Sequence, residues 1–465
     1  MALRVVVALI AALSVARPCL AAACPGDCNG DGVVAINELI NGVSILLGAG
    51  NVQQCTACDL DGNGVVTVDE LVEAVRATLN GCPATPTPTP TTVPPTHAPT
   101  VTATHAPTAT ATPLNCLVDG VICTVAGTGM AQWDGDGRRA LDTSFYFPIA
   151  VIFDRDGQPL ILDWNNLRLR RINLDGTVVT VMGTGAEDFA LPIDGTLAID
   201  TSLHHANDVE YDANWRLYLS GDHLPAVFRV DADTRVFTVA GTLDYGYSGD
   251  GGPALQAELS TPYGVLPDAV GGFYISDVDA NVVRYVDPLG IINTVAGTGD
   301  GGYTGDGGLG TAATLWGPSR LKVGPDGSLY FCETKNHVIR RLHADGTIDT
   351  FAGTGTRGYS GDGGPAKQAQ FDTPYDVRFA PTGDVYVADT GNNVIRRIDG
   401  NGMISTVVGN TVPDFAGDGG PAAACELHRP SGIIFDAEGS LWISDTSNQR
   451  VRRVWHFLNT VAPPS

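Results

Sequence analysis

From residue 114 onward, apolar residues alternate in short runs, such as Val385, Val387 and Ala388, then Val394, Ile395 and Ile398. Turn residues at 381–383 and 399–402 bound these runs, and no stretch of helical period lies between them. That is the pattern of half-buried strands joined by tight turns. It predicts four strands, over 376–379, 384–388, 393–398 and 403–408. The set recurs. A T-V-A-G-like tetrad opens at Thr124, Thr180, Thr238, Thr294, Thr350 and Thr406, so successive spacings are 56, 58, 56, 56 and 56. A fixed period of this size marks a repeat architecture. A lone four-stranded sheet leaves a face unburied, and packing against its neighbours covers it; six copies predict a mainly β, six-bladed β-propeller. After Val454 no further tetrad occurs, so the sixth unit, from Pro430, has three strands of its own. Residues 121–126 can supply its fourth. Closure by this N-terminal strand removes the exposed edges that invite aggregation.

Within each period a G-x-L/V-Y-I/V-A/S-D run, a following Asn and a V-I-R-R-I/V run, as at 394–398 and 451–454, resemble NHL-repeat propellers. The resemblance covers 114–457 and implies the same fold. The period exceeds what a minimal blade needs, and the surplus is a Gly-Asp-Gly-Gly-Pro-Ala segment between blades, expected to gather all these loops on one face. Their acids, Asp250, Asp306, Asp362 and Asp418, follow aromatics at Tyr247, Tyr303, Tyr359 and Phe415. The segment 133–137 is a degenerate copy, and the second repeat keeps only Asp194-Gly195. Turn chemistry accounts for the motif, since glycine admits positive φ and Asp caps its own turn. The other reading is an aromatic and carboxylate array for glycan, protein or further Ca²⁺.

The N-terminal quarter is of a different kind. Residues 1–23 read as a secretory signal, with Arg4, an apolar run over 5–15 and Ala21-Ala22-Ala23 before the cleavage point. The apolar run is too short to span a bilayer. A secreted or cell-surface protein follows, with a lipoprotein acylated at Cys24 as the minority reading. Residues 24–82 form an acidic unit whose eight carboxylates face Arg76 alone. Two loops there match D-x-[DN]-x-[DN]-G-x₅-E: Asp27, Asn29, Asp31, Gly32 and Glu38, then Asp59, Asp61, Asn63, Gly64 and Glu70. That spacing wraps oxygens round a hard cation, with the carbonyls of Val33 and Val65 at the seventh position and Ala35 or Thr67 at the water-linked ninth. Two Ca²⁺ sites are expected. A helical stripe follows each loop (Ile36, Leu39, Ile40, Val43, Leu47 and Val68, Leu71, Val72, Val75, Leu79) and no entering helix precedes the first. This loop–helix pair resembles a type I dockerin, a small all-α, EF-hand-like domain, and implies attachment or assembly through a cohesin-like partner. Glu38 and Glu70 stand where dockerins usually carry Asp; a calcium-stabilised spacer is the alternative.

Residues 83–113 are a linker almost wholly of Pro, Thr, Ala and Val, broken only by His97 and His105, extended and semi-rigid, with Thr enough for O-glycosylation. Residues 458–465 form a short tail. Cysteines agree with export, as Cys24, Cys28, Cys55, Cys58 and Cys82 lie in the small unit and Cys116, Cys123, Cys332 and Cys425 in the propeller. Disulfides are expected, but their pairing cannot be read from spacing.

A net charge of −24 argues against nucleic acid or an anionic membrane as partner. The repeated arginines at 170–171, 340–341, 396–397 and 452–453 lie at one strand position beside acids such as Asp163, Asp389 and Asp445. An intrablade ion pair explains them better than a binding patch. NHL-like propellers include lactonases and lyases, whose chemistry sits on the strands lining the central channel. Here Asp208, Asp376 and Arg320, with the pair His204 and His205, are the candidate channel site. No three-ligand metal set or nucleophile–base pair stands out. The expectation is a monomeric propeller acting as an extracellular protein- or carbohydrate-binding scaffold; a channel lyase or hydrolase is the alternative.

Overall fold

A computed structural model of the protein describes residues 114–460 apart from 188–192, 222, 224 and 243. The expected signal, the expected calcium module with both of its loops, and the expected linker lie outside the described residues. The described strands form six antiparallel sheets, five with their four main strands in sequence order from inner to outer and the sixth completed by the N-terminal strand. The inner strands are Pro148–Phe153, Ala206–Tyr211, Pro262–Pro267, Pro318–Val323, Pro374–Phe379 and Pro430–Phe435, opening blades 1 to 6. Blade 5 continues through Val385–Asp389, Val394–Ile398 and Ile404–Val408, within a residue or two of the expected bounds. Its second strand is buried along its whole length. A blade is sandwiched between two others, so both its faces need apolar residues.

The sixth blade closes as expected. Val121–Ala126 pairs antiparallel with Arg450–Val454, matching Ile122 to Val454 and Thr124 to Arg452. A disulfide between Cys116 and Cys123 staples the approach to that strand. Cys332 and Cys425 are buried thiols, and burial pushes Cys425 up to about 11. Each tetrad ends in a glycine for a steric reason. Gly409 has φ 90°, and a Cβ there would sit 2.6 Å from the Asn393 carbonyl oxygen.

The surplus segments do not gather on one face. Each runs down the outer edge of the following blade, as Arg138–Arg139, Thr196–Leu197 and Gly420–Pro421 do by adding a fifth strand. It then returns between two blades, where Ala313 and Leu315 join Val283 of blade 3 and Phe331 of blade 4 in one core. The loops are straps because their backbone N–H and carbonyl groups satisfy an otherwise open edge.

The strap acid meets the repeated arginine inside the blade. Arg396 is fully buried; it reaches Asp389 on the second strand at 3.3 Å and the strap's Asp362 at 2.6 Å. It also donates to the carbonyls of Gln370 and Ser360, and the Tyr359 ring lies 5.1 Å away. Blade 1 repeats this with Arg170, Asp163 and Asp136, blade 4 with Arg340, Glu333 and Asp306, and blade 6 with Arg452, Asp445 and Asp418. In blade 3, Arg284 pairs with Asp250 at 2.5 Å, and Asp277 receives the N–H groups of Ser260 and Thr261. The strap acid also caps the opening threonine of the tetrad, as Asp250 accepts from the Thr294 N–H at 3.0 Å. Intrablade pairing is thus the role of both motifs.

Blade 2 is the exception. Phe228 occupies the arginine position and Gly221 the position of the acid, by register with Leu219 and Ala226. Phe228 packs in an apolar cluster with Leu203, Leu219 and Val236. Asp194 keeps only the capping half of its role, accepting from the Thr238 N–H at 2.9 Å.

Candidate functional site at the channel mouth

Register shifts after the first residue of the inner strands, as between Pro374 and Asp376, turn two successive side chains toward the axis. The second residues form an upper ring that includes Tyr263, Ser319, Tyr375 and Ser431. The third form the ring beneath it, where small residues make room: a Cβ on Gly432 would lie 2.9 Å from an Arg320 guanidinium nitrogen.

Arg320 fills that room. It is fully buried, 3.3 Å from Asp208 and 3.5 Å from Asp376, and donates to the carbonyls of Ile149 and Asn207 at 3.1 Å. One layer lower, Arg378 reaches Asp376 at 3.3 Å and Glu210 at 2.9 Å, and Lys322 pairs with Glu210. Asp208 and Asp376 also accept backbone N–H groups of the next inner strand, from Val265 and Ile433. Three acids face three cations, so the hub is neutral. Burial pushes the Glu210 carboxyl up, but Arg378, Lys322 and Arg320 outweigh it and hold the group at about 2. Burial raises Asp208 against the pull of Arg320 and Lys322. These groups spend their hydrogen bonds on one another and on neighbouring backbone, which closes the axis and ties blades together.

Above the hub lies a cavity of about 480 Å³. Its aromatic walls are Phe147, Trp164, Tyr263 and Tyr375, and its polar groups include Ser319, Thr373, Thr390 and Arg429. The Tyr263 and Tyr375 hydroxyls hydrogen-bond each other, and burial pushes the Tyr375 hydroxyl well up. The Ser431 and Thr446 hydroxyls lie 2.5 Å apart, and each also reaches a carbonyl of blade 1. Rigid rings beside fixed hydroxyls suit a ligand with both apolar and hydroxyl faces.

At the rim, blade 2 differs again. His205 is nearly buried, its ring lies tilted against Trp164 with centroids 4.4 Å apart, and its Nδ1 lies 2.9 Å from Nδ1 of His223. Glu187 joins them, with ligating atoms of all three within 4.8 Å of one another. His204 is buried with φ 41°.

Asp208, Asp376 and Arg320 therefore do converge, as a sealed hub below the mouth. His205 belongs to a separate rim cluster. A three-ligand set, which does not stand out in the sequence, is present as Glu187, His205 and His223. A signal for it exists: His223 stands at the place of Asn165, Lys335 and Ser447 in other blades, two residues after the missing acid.

Residues 120–301 match the family described as the Teneurin NHL domain. Teneurin-1 of Mus musculus is 26% identical over 379 residues, covering 72% of this chain. Teneurin-m of Drosophila melanogaster is 24% identical over 394 residues, covering 74%. The protein spans only 13% of the length of each. Two solved structures from Bacteroides thetaiotaomicron VPI-5482 each cover 72% of this protein and 75% of their own length, with a TM-score of 0.54. One is a structural genomics protein of unknown function at 19% identity, the other an auxiliary nutrient binding protein at 17%. At that identity the likeness speaks for fold. Among the described residues no helix is long and apolar enough to cross a membrane. The described part of the protein folds as a closed, six-bladed β-propeller, and residues 120–301 of it are similar to the Teneurin NHL domain.

Proposed function

We propose that the protein is an extracellular binding scaffold whose propeller takes a protein or glycan ligand at the channel mouth. One observation carries the reading: an aromatic and hydroxyl cavity of about 480 Å³ sits above an axis closed by the neutral Arg320 hub. Aromatic faces pack on sugar rings or apolar side chains, while Arg429 and the hydroxyls set orientation. In the same reading, residues 24–82 bind two Ca²⁺ ions and serve attachment or assembly.

The test immobilises the full-length protein and presents panels of glycans and extracellular protein domains, following tryptophan fluorescence in solution with Trp164→Phe as the control for the contribution of that ring. The expected result is a ligand whose affinity falls about tenfold or more in Trp164→Ala and in Arg429→Ala. Ligands that bind both variants like wild type would place recognition elsewhere and overturn the reading. For the small unit, calorimetry should show two Ca²⁺ bound per molecule, lost when Asp27 and Asp59 become Ala; no heat and no gain in stability with Ca²⁺ would end that claim. A lyase or hydrolase at the mouth is the second reading, favoured by the His205–His223 pair, with His205 against Trp164.

A further inference from the structure

We propose that Glu187, His205 and His223 form a site for a divalent transition ion of the zinc class on the rim of blade 2. The donors are two imidazole nitrogens and a carboxylate oxygen, a set that suits zinc, copper or nickel and not the all-oxygen preference of calcium. The three ligating atoms already lie within 4.8 Å of one another.

The geometry of the histidine pair supports the assignment. With Nδ1 atoms 2.9 Å apart, only one of the two can carry hydrogen, so the other presents its lone pair to it. A cation replaces that shared proton. Around an ion about 2.0 Å from each nitrogen the pair separates by only a few tenths of an ångström more than now. His223 and Glu187 are both exposed on loops and can open by that amount. His205 is the anchored partner, nearly buried and packed against the Trp164 ring.

A second observation is independent of those distances. Every other blade spends this corner on a buried acid that receives backbone N–H groups, as Asp389 does from Asp372 and Asp445 from His428. Blade 2 carries Gly221 instead, and histidines on both segments that meet there. A repeat that drops its structural device at one place only, and puts metal-ligating side chains there, fits selection for a site. Three protein ligands leave a coordination position for water or a bound ligand.

The full-length protein, kept in excess calcium to occupy the acidic loops, is dialysed against Zn²⁺ and analysed for metal, and Co²⁺ is followed by its visible absorption. Wild type should retain one zinc per molecule through this site and give a Co²⁺ band typical of nitrogen and oxygen ligands. His223→Ala should weaken that binding about 100-fold and Glu187→Gln about tenfold, with melting in chelator unchanged because both side chains are exposed. Wild type that retains no zinc overturns the proposal. So does His223→Ala that retains as much as wild type, which would put the metal at other residues such as the cysteines of residues 24–82.

Discussion

Blade 5 and blade 2 share a strand order and a period but solve the same packing problem in opposite ways. Blade 5 buries a guanidinium between two carboxylates, with Asp389 fully buried and Asp362 on the strap. Blade 2 fills the equivalent space with Phe228 and leaves the acid position to Gly221. An ion pair inside a blade is costly to desolvate, and apolar packing can replace it without loss. The difference teaches that the arginine lock is one sufficient solution. A blade relieved of it frees its upper corner, where His205 and His223 now stand.

The comparison can be broken most sharply at the arginine. Arg396→Ala strands Asp389 in the interior and should cost about 3–5 kcal/mol of stability by urea unfolding. Burial pushes Asp389 up to about 7, above its unfolded range. The folded protein therefore holds that proton more tightly, and the group's contribution to stability falls as pH rises from about 4 to 7. The Arg396→Ala penalty should accordingly be smaller at pH 5 than at pH 8; a penalty independent of pH would sink this assignment. Phe228→Ala should also be expensive, about 3–4 kcal/mol, but as a cavity cost with no pH dependence of its own.

Within the hub, Glu210 runs the other way. Glu210 is held at about 2, below its unfolded value. Its contribution is present above about pH 4.5 and is lost as pH falls toward 2. Glu210→Gln should flatten the acid limb of the stability profile, and an unchanged limb would contradict the hub account.

The smallest effects lie on the straps. Asp362→Ala, which loses the Arg396 contact and its place beside the tetrad, should cost about 1–3 kcal/mol. Asp194→Ala in blade 2 loses only the Thr238 cap and should cost about 1 kcal/mol. Tyr359→Phe removes the hydroxyl bond to Thr406 at 2.8 Å, worth about 0.5–1.5 kcal/mol. Equal costs at Asp362 and Asp194 would erase the distinction between the blades.

The fold was legible because one unit is written six times, and small errors in one copy are corrected by the rest. Even the closing strand at Val121–Ala126 follows from counting. The straps were misplaced, since a surplus of glycine and aspartate signals turns but not which edge they pair with; Gly251 donating to the Ile292 carbonyl is a contact across 41 positions. The rim cluster stayed hidden for a related reason. His205 and His223 lie 18 residues apart on separate strand ends, and Glu187 sits on the strap before them. Asp208, Asp376 and Arg320, the acids and the arginine expected on the channel-lining strands, do meet. What sequence could not give was that each finds an opposite charge and closes the axis.

The most direct test of the central claim is a double-mutant cycle that writes the lock into blade 2. Phe228→Arg alone should destabilise by several kcal/mol, about 3–5 for an unpaired buried charge. Gly221→Asp alone should also destabilise. Together, with Asp194 already in place, they should recover about 2 kcal/mol or more relative to the sum of the two. Strictly additive costs would show that acid and arginine are not a matched unit, and the contrast between blade 2 and its neighbours would lose its physical basis.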